Sequence, residues 1–355
     1  MIWILVFFLS VSALGAPLTE LDLPSELEEL IPDTLEPLNI KKIMQNPTPQ
    51  KVVQQIWRYL WQEVYLHTKL MGQIIIIAVL AAIFKEIAAS FSKEAGEAGF
   101  LAAYLVLVLL LVSSLKETVR LTQATITLLS NIVKILVPLV AATVAAGGEL
   151  ITTITISPLI IGLSATVSVL LEKIILPLAL ASGVLGLASY VTKKPRLTRL
   201  SGFFRWFSLF LLGLINTVFF GLITSLGIGS AAQDSLTYRT AKFIVGTVPL
   251  IGGQVASSTD LLQASTKAVQ SLTTSAGLLF LLFTTLFPII RLSALVLVYK
   301  LLQALIEPVV ETRFLGALET MEKSVTLFLS LIVLTAIMFY ISIGVLAALG
   351  SLLLR

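Results

Sequence analysis

The chain has 355 residues, of which 57% are hydrophobic and only 12% are charged, and its mean hydropathy is +1.00. Soluble domains carry about 25% charged residues, so this composition excludes a soluble globular protein and predicts a membrane protein built from apolar helices. The net charge of +4 is small and indicates helix orientation in a membrane rather than nucleic-acid binding, and the absence of cysteine excludes disulfides and thiolate metal sites.

The first 49 residues are predicted to lie outside the membrane core. Residues 2–14 form an apolar run that is too short to span a bilayer and ends in small residues, which is typical of a secretory signal peptide over residues 1–15. Residues 16–49 form an acidic extracytoplasmic segment, with seven acids and no base between Glu20 and Glu36. A run of like charge stays solvated, so we interpret this segment as a spacer, with an acidic binding surface as the alternative.

Residues 50–69 are predicted to form an amphipathic helix at the membrane interface. Apolar residues recur at helical spacing from Val53 to Val64, and Trp57 and Trp61 lie in the same turns. Aromatic rings with a polar tip prefer the headgroup level, so this helix is expected to lead directly into the first span. We interpret His67, the only histidine, as a wetted interfacial residue rather than a metal ligand.

Eight apolar stretches predict an all-α, polytopic transmembrane helix bundle over residues 70–355, with about eight spans. A spanning helix needs about 20 apolar residues, and the predicted spans are 70–89, 99–115, 126–146, 154–171, 174–191, 203–226, 272–290 and 325–349. The fourth and fifth spans are short and flank Glu172 and Lys173, so a re-entrant or broken pair is the alternative for them. Residues 227–271 form the largest predicted extracytoplasmic loop of the bundle.

A basic cluster between the fifth and sixth spans sets the predicted topology. It consists of Lys193, Lys194, Arg196 and Arg199. Cytoplasmic loops carry an excess of Lys and Arg, so this segment is placed in the cytoplasm and the mature N-terminus outside. Eight spans then place Arg355 outside as well.

Polar residues at membrane depth are the candidate functional residues, because a charge there costs at least about 2.5 to 3.5 kcal/mol and must face protein or water. The candidates are Asn131, Lys134, Asn216 and Arg291. Lys134 lies at the outer interface if the third span begins near residue 135. For Arg291 two geometries are open: the span ends near residue 290 and the guanidinium reaches the cytoplasmic interface, or the span runs to residue 299 and the guanidinium is buried beside Pro288.

The sixth span carries a row of small residues at four-residue spacing, namely Gly213, Thr217, Gly221, Ser225 and Gly229. Small residues on one helix face allow a second backbone to approach closely. We expect a helix of the same chain to pack there, and a helix of another protein is the alternative.

The sequence carries no motif of catalysis or cofactor binding. It lacks a phosphate-binding Gly-x-x-x-x-Gly-Lys loop, a His-Glu-x-x-His motif and a Gly-x-Ser-x-Gly elbow. We therefore expect no enzymatic activity and no cofactor. Any work done on a substrate then needs a gradient or another protein as its source of energy.

Three stretches carry a resemblance to a known family: residues 236–246 (LTYRTAKFIVG), 287–300 (FPIIRLSALVLVYK) and 322–325 (EKSV). The order of features also fits, with a signal-like start, a polar outer segment, an aromatic-rich helix and then clustered spans. On these grounds the chain resembles the stage III sporulation protein AE family over residues 50–355.

The resemblance implies a membrane core subunit of the transenvelope complex that links mother cell and forespore in endospore-forming bacteria. It implies a location in the mother-cell membrane around the forespore and a need for the protein in forespore development after engulfment. The implied partners are other proteins of the stage III sporulation operon (a secretion-type ATPase, small polytopic membrane proteins and ring-forming proteins), with a forespore membrane protein completing the channel. An autonomous secondary permease and a structural membrane scaffold without its own pore are the alternatives.

Overall fold

The computed structural model describes residues 49–146, 150–191, 197–227 and 272–352. Apart from short turns these residues are helical, and the described ranges contain no strand, which confirms the all-α prediction for them. The helices are α1 (Pro49–Leu66), α2 (Thr68–Phe91), α3 (Lys93–Ala146), α4 (Leu150–Leu170), α5 (Leu176–Ser189), α6 (Thr198–Gly227), α7 (Leu272–Ile306) and α8 (Thr312–Leu352). The expected signal peptide, acidic segment and extracytoplasmic loop lie outside the described residues.

α1 and α2 are joined at His67 without a loop. The His67 amide donates to the Glu63 carbonyl over 3.3 Å, and the His67 carbonyl accepts from the Met71 amide over 3.0 Å. Backbone hydrogen bonds of this kind satisfy the groups that a helix end would otherwise leave open. The amphipathic segment therefore leads directly into the first apolar helix, as the sequence predicts.

One side of α1 packs on the bundle. Ile56 and Tyr59 are buried, and the Tyr59 ring lies 5.5 Å from the Phe287 ring of α7, measured between centroids. Trp57 and Trp61 are exposed on the other side. This is the two-sided pattern expected of an amphipathic helix, and its position at a membrane interface stays a prediction.

The predicted second and third spans, 99–115 and 126–146, are one helix. α3 has 54 residues, so it is about 80 Å long at about 1.5 Å per residue. The prediction of two separate spans with a connection over residues 116–125 is therefore wrong. The residues between the two apolar parts include good helix formers. Three hydroxyls there are also satisfied within the helix, since each of these threonines donates to the carbonyl four residues earlier: Thr118, Thr122 and Thr125.

The predicted fourth and fifth spans, 154–171 and 174–191, are also continuous. α4 runs into a π-helical turn (Leu171–Ile175) that leads directly into α5, so the chain forms neither a loop nor a re-entrant pair there. A π turn is a local widening of a helix that closes i→i+5 hydrogen bonds. This one contains Glu172 and Lys173, the two charges that suggested a boundary between spans.

α7 and α8 are longer than the predicted seventh and eighth spans and form the centre of the bundle. α7 continues to Ile306, so it does not end near residue 290, and Pro288 lies inside it. α8 begins at Thr312 rather than near residue 325. In the most apolar stretch of each helix, the buried share is 67% for α7 and 72% for α8. The corresponding share for α2 is 17%.

Three connections between helices lie at one end of the bundle, which we call the basic end. These connections are α2–α3, α5–α6 and α7–α8. Two contacts hold them together: Arg313 of α8 lies 3.0 Å from Glu97 of α3, and the Tyr104 hydroxyl of α3 donates to the Leu187 carbonyl of α5 over 2.9 Å. Cations at this end include Lys85, Arg199, Lys300, Arg313 and Lys323.

The opposite end, which we call the outer end, contains the remaining helix ends. α1 begins, α6 ends, α7 begins and α8 ends there, and α3 is followed there by α4. Among the described residues six helices are long and apolar enough to cross a membrane by length and composition, in place of the eight predicted spans. The two fewer spans result from the merging of the second with the third and of the fourth with the fifth.

Candidate functional site

Arg291 and Glu117 form an ion pair between α7 and α3. Nη2 of Arg291 lies 2.6 Å from Oε1 of Glu117. The Arg291 side chain is 30% exposed and the Glu117 side chain is 69% exposed, so the pair lies at the surface of the bundle rather than in its core. Both residues belong to stretches that are apolar enough to cross a membrane. The helix continues through Arg291, as in the second of the two geometries considered, but the guanidinium has a carboxylate partner.

A second polar group lies where α1 meets α7. The Tyr59 hydroxyl donates to Oε1 of Glu63 over 2.7 Å, and both residues are 5% exposed. Burial raises the pKa of Tyr59, and the neighbouring Glu63 raises it further. Burial also lowers the pKa of His67, an effect that Glu63 opposes and Arg291 strengthens. His67 is half-buried, and its Nε2 atom is buried without a hydrogen-bond partner among the described residues.

The π turn contacts α3 through its carboxylate. The Thr127 hydroxyl of α3 donates to Oε1 of Glu172 over 2.7 Å. Further along α3, Nζ of Lys134 donates to Oδ1 of Asn131 over 3.3 Å. Lys134 is exposed and Asn131 is half-buried. Two of the residues selected from the sequence are therefore hydrogen-bond partners on one surface of α3.

The exposed side of α3 is polar over its central part. Polar residues recur there every three or four positions and therefore share one helix face. We call this set the polar face of α3; it comprises Lys116, Glu117, Arg120, Gln123, Thr127, Asn131 and Lys134, all exposed except the half-buried Asn131. The opposite side is apolar and buried, and it includes Ile126, Leu129, Val133 and Leu136. α3 is thus amphipathic within a stretch long and apolar enough to cross a membrane.

Asn216 lies on the buried side of α6 and is 2% exposed. Its Nδ2 donates to the Leu212 carbonyl of the same helix over 2.8 Å. Its Oδ1 is buried and has no hydrogen-bond partner within the described part of the chain. The Nδ2 hydrogen bond therefore stays within α6 and does not fix a neighbouring helix.

The row of small residues on α6 does not pack closely at Gly221. Among the described residues, a Cβ added there would meet no heavy atom of another helix within 4 Å. Gly213 and Thr217 are half-buried, and the Thr217 hydroxyl donates to the Gly213 carbonyl over 2.9 Å. Gly229 and the side chain of Ser225 lie outside what the structure describes. The expected close packing within the chain is not seen at Gly221, so contact with another protein stays open as the alternative.

Close approach of helices occurs at other glycines. A Cβ added at Gly277 of α7 would lie 2.6 Å from Cδ2 of Leu136 on α3. A Cβ at Gly186 of α5 would collide with a threonine side chain of α8, and a Cβ at Gly316 of α8 would collide with the Tyr190 ring. Helices that meet backbone to side chain in this way gain van der Waals packing, which drives helix association in a membrane.

Arg313 joins three segments at the basic end. Its Nη1 lies 3.0 Å from Oε1 of Glu97, and its Nη2 lies 3.1 Å from Oε2 of Glu311. Its guanidinium carbon lies 4.0 Å from the centre of the Phe100 ring, and Lys85 adds a second cation 2.6 Å from Glu311. With 9% of its side chain exposed, Arg313 is a buried and paired cation.

Of the residues predicted to set the topology, the structure describes one. Arg199 is exposed in the first turn of α6, at the basic end. Lys193, Lys194 and Arg196 lie outside the described residues. The role of this cluster in orientation therefore stays a prediction.

The sequence singles out the cations Lys134 and Arg291 but not the carboxylates Glu117 and Glu172, which contact other helices. Glu117 and Glu172 fall between the predicted spans, and Arg313 is not among the predicted candidates. Acids inside or beside apolar stretches were the available signal, because a carboxylate at membrane depth needs a partner as much as a cation does. No group of three or more His, Asp or Glu within the described ranges could hold a metal ion.

Comparisons with known proteins agree with the resemblance seen in the sequence. The family profile described as Stage III sporulation protein AE matches residues 37–350. Stage III sporulation protein AE of Bacillus subtilis (strain 168) is 26% identical over 307 residues, which cover 86% of this chain and 77% of that relative. No solved structure matches the chain.

Proposed function

The chain belongs to the stage III sporulation protein AE family, and on this premise we propose that it is a non-enzymatic membrane core subunit of a channel or secretion complex connecting mother cell and forespore. Six long apolar helices suit a multi-pass membrane protein. The protein lies in the mother-cell membrane around the forespore and is needed for forespore development after engulfment.

The observation that carries the proposal is the shared position of the helix ends. α1 begins, α6 ends and α7 begins at the outer end, so residues 1–48 and 228–271 join the bundle on the same side. The opposite end carries Lys85, Arg199 and Arg313, which favours a cytoplasmic position for it under the positive-inside rule. The two outer segments then face the space between the membranes, where ring-forming partners bind them.

The energy for transport comes from another chain. The sequence has no phosphate-binding loop, so a secretion-type ATPase encoded in the same operon supplies the work. That ATPase docks at the basic end, on the cytoplasmic side. The outer end and the basic end therefore have different partners.

Affinity purification from sporulating cells tests this assignment. The chain carries an affinity tag after Arg355 and is solubilised in a mild detergent during engulfment. We expect the ATPase and the ring-forming proteins to co-purify with it, and we expect a strain lacking the chain to stop after engulfment. Normal spore formation without the chain, or purification of the chain with neither partner, would contradict the proposal.

A secondary permease is the second candidate, and one observation favours it. The Arg291–Glu117 pair lies in helices apolar enough to span a membrane, where paired charges mark solute pathways. The other argument for it, a broken helix pair, fails because α4, the π turn and α5 are continuous. Proteoliposomes containing only this chain separate the candidates: gradient-driven solute uptake supports the permease, and its absence supports the subunit.

A further inference from the structure

We propose that the contact between α1 and α7 is a proton-sensitive latch, in which His67 takes up the proton. With a neutral imidazole, α1 stays against α7. With a charged imidazole, α1 moves away from α7 and its packed side becomes accessible to water. This proposal goes beyond the proposed function, because it rests on the contacts of α1 alone.

α1 is attached to the bundle along one side only. We call this the attached side of α1, and its buried residues are Ile56, Tyr59, Glu63 and Val64. Among the described helices its main contact is with α7, through the rings of Tyr59 and Phe287. α1 is also not one of the six long apolar helices, whereas α7 and α8 bury most of their apolar stretches. α1 therefore leaves the bundle at a lower cost than either of them, because it uncovers less apolar surface.

The attached side buries polar groups together with apolar ones. Glu63 is 5% exposed, and its Oε1 accepts a hydrogen bond of 2.7 Å from the Tyr59 hydroxyl. One helical turn further along, Nε2 of His67 is buried without a partner among the described residues. A buried polar atom without a hydrogen bond costs free energy. The contact of α1 is therefore weaker than an apolar contact of the same size.

His67 lies at the joint between the two helices. Its amide donates to the Glu63 carbonyl, and its carbonyl accepts from the Met71 amide, so α1 passes into α2 without a loop. Because the helices meet at this residue, a change in the position of its ring acts on the angle between them. The same residue thus carries the titrating group and the point about which α1 moves.

Charged groups from three helices act on the ring. They are Glu63 of α1, Arg291 of α7 and Glu117 of α3. Burial lowers the pKa of His67, the two carboxylates oppose this, and Arg291 strengthens it. Arg291 is itself paired with Glu117 over 2.6 Å. The folded contact therefore favours the neutral ring, and a fall in pH below the usual value of 6.5 favours the released state.

Protonation makes the buried position of the ring unfavourable in two ways. The imidazolium carries a hydrogen on both nitrogens, so Nε2 becomes a donor with no acceptor among the described residues. The ring also gains a positive charge near the Arg291 guanidinium. Both costs fall when α1 moves away and water reaches the ring.

Cysteine accessibility measures the release, because the chain has no cysteine of its own. Ile56→Cys reports on the attached side, and Trp57→Cys is the control at the neighbouring residue, which is 60% exposed. The full chain is purified in detergent and treated with a maleimide between about pH 7.5 and about pH 5.5. Thiols react as thiolates, which become fewer as the pH falls. The rate at Ile56→Cys is therefore divided by the rate at Trp57→Cys at each pH.

We expect this ratio to rise severalfold as the pH falls, and we expect no such rise when both variants also carry His67→Gln. A ratio that does not change with pH, or an equal rise with His67→Gln, would overturn the latch. A ratio that falls would show that the charged ring pairs with Glu63 in place and holds α1 more tightly, which would overturn it as well.

Two further variants separate release of α1 from other causes. Leu331→Cys lies in the core of α8 at 0% exposure and should stay unreactive over the same range. If it reacts in step with Ile56→Cys, the whole bundle unfolds and the latch is excluded. If Ile56→Cys does not fold, Val64→Cys on the attached side replaces it, with the 74% exposed Tyr65→Cys as its control. None of these outcomes alters the proposed function, which affinity purification tests.

Discussion

The Arg291 guanidinium and the Glu117 carboxylate lie 2.6 Å apart although 174 positions separate them in the sequence. This contact joins the central helix α7 to the polar face of α3. Each charge gives the other a partner of opposite sign at the surface of the bundle. The pair is thus the point at which the centre of the bundle meets its polar surface.

Exchanging the two charges should preserve the pair. Arg291→Glu or Glu117→Arg alone places like charges side by side and should lower thermal stability in detergent and spore yield, and the double variant should recover much of both. Because both side chains keep contact with solvent, we expect the pair to contribute only about 0.2 to 1 kcal/mol. Arg291→Lys is the conservative control. Additive losses in the double variant would show that the two residues do not interact.

Removing Arg313 should destabilise the protein more than removing any exposed cation. Truncating one partner of a buried ion pair typically costs about 3 to 5 kcal/mol, so we expect Arg313→Ala to lower the melting temperature strongly. Arg313→Lys should recover little, because an ammonium does not reproduce a fork that reaches both Glu97 and Glu311. The measurement is thermal unfolding in detergent.

Lys323 offers a matched control on the same helix. It pairs with Glu319 one helical turn away, and both side chains are more than 40% exposed. Exposed pairs of this kind contribute about 0.3 to 0.5 kcal/mol, so Lys323→Ala should leave the melting temperature nearly unchanged. Equal effects of Arg313→Ala and Lys323→Ala would contradict the buried network.

Two glycines should tolerate substitution very differently. Gly277→Leu places a side chain where Cδ2 of Leu136 already lies, and overpacking typically costs about 1 to 3 kcal/mol. Within the part of the chain that the structure describes, the Cβ of Gly221→Leu meets no heavy atom of another helix within 4 Å, so this variant should lose less stability than Gly277→Leu does. Unfolding in detergent compares the two. If Gly221→Leu is stable but fails to assemble with its partners in cells, the row of small residues on α6 contacts another protein.

The junction of α1 and α2 should weaken in mild acid. Burial lowers the pKa of His67 below its usual value of 6.5, so the folded protein favours the neutral ring. The stability from this preference is present above pH 6.5 and is lost as the pH falls through the lower pKa of the folded state. The charged groups that act on the ring are Glu63, Arg291 and Glu117.

His67→Gln removes the titrating group and serves as the comparison. As the pH falls from about 7 to about 5, the wild type should lose more thermal stability than His67→Gln does. Protease cleavage within α1 should increase in parallel in the wild type. Parallel pH profiles of the two proteins would exclude His67 as the source of the effect.

The sequence predicts the fold class and the type of each long element, because composition and apolar run length carry that information directly. It does not predict the continuity of α3, since a polar stretch such as the one from Lys116 to Thr127 reads equally well as a loop. The decision depends on burial of Ile126 and Leu129 against other helices, and on threonine hydroxyls that bond within α3. Glu172 and Lys173 likewise indicate a boundary between two spans in the sequence, although they lie in a π turn inside a continuous helical segment.

The candidate site is predictable only in part. A charge such as Arg291 stands out against an apolar background, and so it was selected from the sequence. Its partner Glu117 was not, because pairing across 174 positions depends on how the helices pack. The row of small residues on α6 is visible in the sequence, whereas the close contacts at Gly277 and Gly316 follow no such repeat.

The arrangement of six long apolar helices requires that α3 and α4 meet at the outer end, and the sidedness of Gly148 tests this most directly. In intact cells, Gly148→Cys should react with an impermeant thiol reagent, as should a cysteine at position 240, whereas a cysteine at position 196 should react only after the membrane is opened. Eight spans would instead place residue 148 in the cytoplasm. Labelling of Gly148→Cys only after opening, together with position 196, would contradict the six-helix arrangement.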